Sequence, residues 1–477
     1  MPTVSVVIVN WNGAQHLEPC LRSLQQLDFP RADFEVLMVD NHSSDGSIEQ
    51  AKALYPGIRI LANARNQGFA RPNNQAAAAA TGEYLALLNN DMRVDPGWLR
   101  EALAQIDRAS GTVCIGSKIL DWEGQQIDYA GGSLHYLGYA DQNYLGAAAG
   151  AVSLEPQEIL FPCGGAMLID RQVYRELGGF DEDYFAIFED VDLGWRLWLA
   201  GYRVRLAPAS ITYHRRHGSF AEVDPRVNTI VHRNALMTIF KNYGEEAFRK
   251  IVPLAFVLAV RRAVSFSGVN RSAYELWDNV ERHARDPERR GAVIEQCQLA
   301  LNHIVALDQF LDQIPLLSEK RRRVQALRRR DDAEILGRFG DPFRCVLDAV
   351  AYEGDERRWV EALGLERLFG ASWERRNAKR WRGGAWFYRR DLREHIHRLE
   401  TYLGGLEATA RRLNRYIEQR IERELGAQKQ LGELPNFHRP KGIRYYLARF
   451  GFYLLRGEYK QAVRKAWDLL SGKPKRA

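Results

Sequence analysis

The chain has 477 residues, enough for two or three domains, and carries a formal net charge of +7 at pH 7. Its five cysteines are scattered without CxxC spacing, which excludes a disulfide framework and a cysteine zinc site and favours a reducing, cytoplasmic compartment. The N-terminus lacks a basic region and no long uninterrupted apolar run is present, so we expect neither a signal peptide nor a membrane span.

The N-terminal half alternates predicted strands with predicted helices. Continuous apolar and β-branched runs, typical of strands buried on both faces, occupy residues 4–9, 34–39, 58–61 and 84–88. Helical patterns separate these strands. The alternation predicts an α/β fold with a doubly wound, mostly parallel sheet, which binds ligands at the carboxyl ends of its strands.

Polar side chains follow the predicted strands at the edge where such a sheet binds ligands. Four polar residues lie at or just beyond the end of a predicted strand, namely Asn10, Asp40, Asn66 and Asp91. Each one alone is explained as an ordinary turn former, but four at one sheet edge favour a nucleotide site. The sequence contains neither GxGxxG nor GxxxxGK followed by Ser or Thr, so neither a Rossmann dinucleotide site nor a P-loop is indicated.

A second concentration of polar residues lies between Tyr184 and Trp198. Three carboxylates, Glu189, Asp190 and Asp192, fall within four residues and have aromatic and apolar neighbours on both sides. Mutual repulsion and loss of solvation would raise a carboxyl pKa toward that of a useful general base. The alternative is a helix N-terminus whose acids complement the helix dipole.

These features lie in segments that resemble family 2 glycosyltransferases of the GT-A fold, in particular a rhamnosyltransferase-like branch that acts in bacterial polysaccharide assembly. The resemblance covers about residues 1–240 and implies a GT-A catalytic domain there. The matching segments, in the family's order and spacing, are Val4–Gly13, Val39–Ser47, Asn66–Ala70, Leu87–Asp91, Cys163–Ile169, Gly178–Glu182, Phe188–Leu193 and Tyr213–His214.

The resemblance implies a donor site along the strand ends. Val9, Asn10 and Asp40 would hold the base and ribose, with Asp40 facing the base edge. Asn66 and Gly68 would close over the nucleotide. The other donor-site residues that the resemblance implies are Asn12, Asn74 and Asn90. The donor would be a nucleotide diphosphate sugar, with dTDP-rhamnose the first choice and UDP- or GDP-linked sugars next.

The resemblance also implies a divalent-metal site for Mg²⁺ or Mn²⁺ on the donor diphosphate. Asp91 would ligate the ion as the last acid of the family's Asp-x-Asp motif, joined by His214, with His217 as the spare candidate. The first motif position is Asn89 in this chain. An amide is a weaker ligand than a carboxylate for a hard cation, so the sequence departs from the family pattern there.

By the same resemblance, Asp190 is the base of an inverting transfer and takes the proton of the acceptor hydroxyl. Glu189 would orient the acceptor or tune Asp190, and Asp192 is expected to be structural, either capping the helix or pairing with Arg196. The acceptor would be a glycan or a lipid-linked molecule. Loops between residues 111 and 162 are expected to recognise it.

Two other functions stay open on the sequence. One is a nucleotidyltransferase on a similar α/β fold, although no glycine-rich loop with a nearby Lys or Arg follows the first strand. The other is a catalytically weak scaffold that binds a partner through its C-terminal half, with Asn89 as a sign of decay. The retained residues Asp40, Asp91, Asp190 and His214 argue against the scaffold.

Charge is distributed unevenly along the chain. Residues 1–240 carry 19 basic and 28 acidic side chains, a net charge of −9, whereas the remainder carries 48 and 32, a net charge of +16. Together with the resemblance over residues 1–240 and the helical patterns that follow it, this split leads us to predict a catalytic domain at 1–240, a helical region with membrane-interface segments at 241–390, and a long helix or coiled coil with a basic amphipathic tail at 391–477. The basic regions would hold the enzyme peripherally at the cytoplasmic face of an anionic membrane, unless the surplus arginine only solvates long helices.

The C-terminal half contains five further stretches with a recognisable pattern. Residues 251–260 are apolar and predict a membrane-interface segment or a core helix, and the basic run 320–330 predicts a solvated helix face. Residues 372–390 interleave aromatic and basic side chains, which suits lipid headgroups or a lipid-linked diphosphate; without a nucleic-acid-binding motif, nucleic acid is not expected. Residues 392–417 carry a 4-3 apolar repeat that predicts homo-oligomerisation or a helical hairpin, and 445–475 are amphipathic and basic.

Overall fold

A computed structural model describes residues 2–215, 225–266, 293–339, 342–343, 356 and 359–369. The described residues within Met1–Phe248 and Val305–Gly384 form one compact unit, and those within Arg249–Ile304 belong to a second. His217 and the stretches 372–390, 392–417 and 445–475 lie outside the described residues. The predictions made for them, and the domain division at residues 240 and 390, stay predictions.

The first strands of the sheet are those expected from the sequence. They are β1 (Val4–Asn10), β2 (Phe34–Asp40), β3 (Arg59–Ala62) and β4 (Tyr84–Asn89), joined through helices α1 (Ala14–Gln25), α2 (Ser47–Leu54) and α3 (Ala70–Ala79). They are parallel neighbours in the order β3-β2-β1-β4, which confirms the predicted α/β alternation. The register sets Asn10 opposite Asp40, so the polar strand ends meet at one edge.

The segment at residues 92–214 contains the remaining strands and three α-helices. Its elements are β5 (Met92–Val94), α4 (Trp98–Leu103), β6 (Thr112–Asp121), β7 (Ile127–Tyr129), β8 (Gly132–Leu134), β9 (Ala140–Gln142), β10 (Gln157–Glu158), β11 (Ala166–Asp170), α5 (Arg171–Glu176), α6 (Glu189–Leu199) and β12 (Arg203–His214). The large sheet has the order β10-β12-β6-β11-β4-β1-β2-β3, with β5 paired to β12 and β7 paired to β6. β8 and β9 form a separate hairpin.

The large sheet is mixed, so parallel pairing holds for the first four strands and for the pair β6-β12 but not for the sheet as a whole. β11 lies between β4 and β6 and runs antiparallel to both, whereas β12 runs parallel to β6. A strand buried on both faces shows the same apolar run in either direction. The sequence therefore did not reveal the direction of β11.

Beyond the sheet, the described part of the chain is helical, as predicted. Its α-helices are α7 (Pro225–Asn242), α8 (Glu245–Phe266), α9 (Val293–Ala326) and α10 (Asp332–Leu336). Seven of the ten residues in the apolar run 251–260 are buried, which favours a core helix over a membrane-interface segment. Within the described ranges, no helix combines the length and the apolar character needed to cross a bilayer.

The basic run at 320–330 is a solvated helix face only in part. Arg322 and Arg323 are exposed, as expected, whereas other basic side chains of the run are partly buried and bind backbone carbonyls. Arg321 donates to the backbone carbonyl of Phe240 in the last turn of α7 at 3.0 Å. Arg330 donates to the backbone carbonyl of Tyr202, just beyond the end of α6, at 2.7 Å. The last carbonyls of a helix have no partner inside that helix, so Arg321 caps the C-terminal end of α7, whereas Arg330 fixes the turn that follows α6.

Candidate active site

The strand ends bring Asn10, Asp40 and Asn90 together, as the sequence predicts. Asn10 donates to Asp40 Oδ1 at 3.2 Å and to Ser47 Oγ at 3.0 Å, and it accepts from Asn90 Nδ2 at 2.8 Å. Asn10 and Asp40 are fully buried, and Val9 beside them is half-buried. These side chains therefore bond to one another at the carboxyl ends of the first strands, the edge at which an α/β sheet binds its ligands.

The turn after β1 supplies the exposed part of this edge. Asn12 has a left-handed backbone with a φ of 48°; its N–H donates to Ser43 Oγ, and its Oδ1 accepts from the Ser44 N–H, each at 2.9 Å. Trp11, which sequence reasoning did not single out, is 49% exposed. A half-exposed indole offers a flat apolar face on which a base could stack.

Asn41, also missed by sequence reasoning, ties the loop after β3 to the end of β2. Its Nδ2 donates to the Gly68 carbonyl at 2.7 Å and to Asn66 Oδ1 at 3.3 Å. Gly68 has a φ of 80°, and a Cβ there would collide with the backbone oxygen of Phe185, so the position needs glycine. The loop predicted to cover the nucleotide thus lies against the segment that leads into α6. The only sequence signal for Asn41 was its place directly after Asp40.

Both polar atoms of the Asn74 side-chain amide make hydrogen bonds within the protein. Its Nδ2 donates to the Phe180 carbonyl at 2.8 Å and to Glu182 Oε1 at 3.2 Å, and its Oδ1 accepts from the Tyr174 hydroxyl at 2.7 Å. These bonds hold the turn at residues 178–182 against α3. The structure therefore gives Asn74 a structural role, and its predicted contact with the nucleotide stays a prediction.

The predicted metal ligands Asp91 and His214 face each other. Asp91 Oδ2 lies 3.4 Å from His214 Nε2, and the other oxygen, Oδ1, is buried without a hydrogen-bond partner. An orphaned buried carboxylate oxygen is costly, and a bound cation would satisfy it. One carboxylate and one imidazole fit a divalent ion that completes its shell on a diphosphate. Within the described ranges, no group of three His, Cys, Asp or Glu side chains could hold an ion unaided.

Asp128 is a residue of this site that sequence reasoning missed. Its Oδ2 lies 2.6 Å from His214 Nδ1, on the opposite side of the ring from Asp91. Burial lowers the pKa of His214, but the bonds to Asp128 and Asp91 outweigh burial and raise that pKa to about 9. A carboxylate on the far nitrogen orients a metal-binding imidazole. Asp128 and His214 are 86 positions apart, so no local pattern connects them.

Glu189 and Asp190 begin helix α6, where the sequence predicts them. Asp190 is half-buried, and its Oδ2 accepts from the Gly164 N–H at 2.8 Å. Glu189 is 5% exposed, and its Oε2 has no hydrogen-bond partner. Burial raises the pKa of both carboxyls, and the nearby Asp190 charge raises the pKa of Glu189 further. Both groups therefore have the environment of a general base, and Asp190 is the accessible one.

The backbone just before α6 is held in an uncommon conformation. Phe185, Ile187 and Phe188 have φ values of 64°, 70° and 70°, rare for residues other than glycine. The fully buried Asn234 of α7 donates through Nδ2 to the carbonyls of Ala186 at 2.8 Å and Ile187 at 2.6 Å. Such strain persists where neighbouring structure enforces it, and it concentrates at functional sites.

A cavity of about 350 Å³ lies beside the two carboxyls. Its lining includes Asp190 together with Tyr129, Asp141, Gln142 and Phe161. The last four come from the region 111–162, in which acceptor recognition is expected. The volume lies near the lower end of the range for small-molecule sites, so it suits one sugar unit better than an extended chain.

Asp192 pairs with Arg196, as the sequence predicts. Arg196 Nε lies 2.8 Å from Asp192 Oδ2, and Lys241 Nζ lies 2.9 Å from Oδ1, with all three side chains buried. Burial raises the pKa of Asp192, but the two cations outweigh burial and lower it. Asp192 is therefore an ionised anchor of α6 and does not have the environment of a base.

Comparisons with known proteins identify the family. A sequence profile described as Glycosyl transferase family 2 matches residues 5–178. An N-acetylglucosaminyl-diphospho-decaprenol L-rhamnosyltransferase of Mycobacterium tuberculosis is 30% identical over 237 residues, which cover 45% of this chain and 76% of the relative. The chain belongs to glycosyl transferase family 2. The predicted family, its rhamnosyltransferase-like branch and the GT-A-type α/β fold are thereby confirmed.

Other similar proteins match this glycosyltransferase over a smaller share of their own length or at lower identity. The O-antigen biosynthesis protein RfbC of Myxococcus xanthus is 31% identical over 228 residues, 46% of this chain and 18% of RfbC. A solved structure of GalNAc-T7 with UDP, GalNAc and Mn²⁺ has 17% identity and a TM-score of 0.44, covering 66% of this chain and 58% of that chain. The mannosyltransferase PcManGT from Pyrobaculum calidifontis, with GDP-Man and Mn²⁺, has 17% identity and a TM-score of 0.40, covering 65% and 87%.

Proposed function

We propose that this glycosyltransferase moves a sugar from a nucleotide diphosphate sugar to a glycan or lipid-linked acceptor, with inversion, in cell-surface polysaccharide synthesis. The setting of Asp190 carries the proposal, because its half-buried carboxylate has a raised pKa and lines the 350 Å³ cavity. An inverting transfer needs a base beside the acceptor hydroxyl. Family membership argues against a nucleotidyltransferase, and the enclosed carboxyl pair argues against a decayed scaffold.

In the proposed reaction the acceptor hydroxyl lies in the cavity and donates a hydrogen bond to Asp190. Its oxygen attacks the anomeric carbon while its proton passes to the carboxylate. The bond from that carbon to the diphosphate breaks, and the nucleoside diphosphate leaves with the electron pair. A positioned base contributes about 10²–10⁴-fold to rate. Glu189, enclosed next to Asp190, is assigned the tuning or acceptor-orienting role.

Asp91 and His214 are the residues that would hold Mg²⁺ or Mn²⁺. When bound, such an ion supplies charge stabilisation to the leaving diphosphate. The orphaned Oδ1 of Asp91 supports this assignment, and Asp128 keeps Nε2 of His214 directed at Asp91. With Asn89 in the first motif position, Asp91 is the single carboxylate that the motif contributes.

We place the nucleoside at the carboxyl ends of the first strands. The bonded pair Asn10 and Asp40 ends β1 and β2 there, Asn12 and Asn66 lie in the adjoining loops, and Trp11 is exposed in the turn after β1. The name of the M. tuberculosis relative supports rhamnose as the first donor sugar and a polyprenyl-diphosphate-linked sugar as the first acceptor. We therefore rank dTDP-rhamnose ahead of UDP- and GDP-linked donors.

The proposal includes peripheral attachment to the cytoplasmic face of an anionic membrane and homo-oligomerisation through residues 392–417. Its support comes from the sequence, namely the net charge of +16 after residue 240, the aromatic and basic stretch 372–390 and the 4-3 apolar repeat. Basic side chains near such a surface contribute about 1 kcal/mol each, and salt weakens the effect. Binding to anionic liposomes should therefore fall as salt rises.

A donor screen tests the proposed function. The full chain is incubated with dTDP-rhamnose, UDP-GlcNAc and GDP-mannose, with and without Mn²⁺, and assayed by thermal shift and by transfer to a polyprenyl-diphosphate-linked GlcNAc. At a hundredfold its Kd, the correct donor should add about 2.7 kcal/mol to the free energy of unfolding. Asp190→Asn should keep this shift and lose transfer. The proposal would be contradicted if no donor produced a thermal shift and no donor supported transfer.

A further inference from the structure

The residues that lead into α6 form a segment with little regular structure of its own. We call residues 181–188 the approach segment; it contains a single 3₁₀ turn, Glu182–Tyr184, and ends directly before Glu189. Three of its residues have a positive φ, as described above. A backbone of this kind keeps its shape only through contacts from neighbouring elements. The position of the carboxyl pair therefore depends on the elements that hold the approach segment.

Helix α9 contacts the approach segment through Lys320. The Lys320 ammonium lies 2.5 Å from Asp181 Oδ1 and 2.5 Å from Asp183 Oδ2. The second oxygen of Asp181 lies 2.5 Å from Lys241 of α7, which also pairs with Asp192 inside α6. Asp181 is thus shared by cations from two helices, and its pair with Lys320 links the approach segment to α9.

Helix α9 is itself fixed against the end of α7, and the chain just after α9 binds the turn that follows α6. Arg321 and Gln325 donate to backbone carbonyls in the last turn of α7, at 3.0 Å to Phe240 and 2.9 Å to Lys241. Farther along the same basic run, Arg330 reaches the Tyr202 carbonyl beyond α6. The run therefore contacts the chain both before the start of α6 and after its end. It lies outside residues 5–178, which the family profile matches.

We propose that Lys320 is a positioning residue for glycosyl transfer, because its ion pairs with Asp181 and Asp183 hold the approach segment so that Asp190 faces the acceptor cavity. The inference rests on the function proposed above. Loss of the ammonium would free Asp183, whose side chain is 30% exposed, and would leave Asp181 paired with Lys241. Because no buried carboxylate would be left without a cation, the fold should survive and the geometry of the base should not.

The test compares three full-length variants with the parent. Lys320→Met removes the charge and Lys320→Arg keeps it, while Arg323→Met is the control on the same helix, with a side chain 75% exposed. The measurements are kcat, acceptor KM, donor Kd, melting temperature and amide hydrogen exchange over residues 181–191.

We expect Lys320→Met to lower kcat by at least about tenfold while donor Kd stays within about twofold, since a misplaced base costs rate and not donor affinity. Amide exchange in the approach segment should accelerate in this variant alone. Lys320→Arg should recover most of the rate, and Arg323→Met should match the parent.

Parent-level kcat in Lys320→Met would overturn the inference, as would an equal loss in Arg323→Met. A kcat loss that only follows the fraction of unfolded protein, with unchanged exchange in the approach segment, would also overturn it. Failure of the proposed function has a different signature, which is full activity in Asp190→Asn or no transfer by the parent. In that case the exchange measurement still decides whether Lys320 holds the segment.

Discussion

Replacing Asn234 with leucine should destabilise the catalytic unit by removing the side chain that holds the backbone before α6. Asn234 Nδ2 lies within hydrogen-bonding distance of three carbonyls, those of Tyr184, Ala186 and Ile187. Arg233 also donates to the Tyr184 carbonyl at 3.1 Å, so that carbonyl keeps a partner. The leucine variant therefore leaves the buried carbonyl of Ala186 and the partly buried carbonyl of Ile187 without this donor. At about 1–3 kcal/mol each, the free energy of unfolding should fall by about 2–6 kcal/mol.

Urea denaturation followed by tryptophan fluorescence measures this change, because Trp195 and Trp198 of α6 are fully buried. Gln125→Leu is the matched control, since it replaces an exposed amide with the same apolar side chain and should change stability by less than about 0.5 kcal/mol. A loss in Asn234→Leu no greater than that of the control would refute the reasoning. The fraction that remains folded should also show reduced kcat, because the strained backbone next to Glu189 loses its support.

Three further predictions follow from the carboxylates of the site. Asp91→Asn should abolish the response of nucleotide affinity to Mn²⁺ in calorimetry, and an undiminished response would place the ion elsewhere. Asp128→Asn should weaken Mn²⁺ affinity by about 10–100-fold by leaving the His214 ring poorly oriented, with nucleotide affinity in chelator as the control. Glu189→Gln should raise the free energy of unfolding at pH 8 relative to the parent. The folded-state pKa of Glu189 lies above its unfolded value, so the parent loses stability as pH rises from about 4.5 upward. The gap between the free energies of unfolding of the variant and the parent should therefore close below that pH. A gap that is independent of pH would contradict the pKa assignment.

The parallel strands and their polar ends could be predicted because the signals are local. A β-branched run shows that a strand is buried, and the residues after it show where the chain turns. Asn10 and Asp40 needed only the general rule that parallel strands end at one edge, and the register then set them opposite each other. The direction of β11 could not be predicted in this way, because an apolar run does not encode it.

The parts that were missed depend on contacts distant in sequence. Asp128 reaches His214 only because β7 is folded back onto β6 beside β12. Lys320 lies 139 positions from Asp181. A cluster of basic residues has the same sequence pattern whether it faces water or another helix, so the pattern did not predict this ion pair. Arg330 binds a backbone carbonyl, and every residue has one, so no sequence pattern identifies its partner. In each case the tertiary fold, and not the local sequence, selected the partner.

The central claim is that Asp190 is the base of an inverting glycosyl transfer, and Asp190→Asn tests it most directly. The amide keeps the size of the side chain but cannot take the acceptor proton. Transfer should therefore fall by about 10²–10⁴-fold. Donor Kd, measured on the same protein by calorimetry, should stay within about twofold of the parent, since the base acts in the transition state. A transfer rate within about tenfold of the parent, with normal donor binding, would contradict the account.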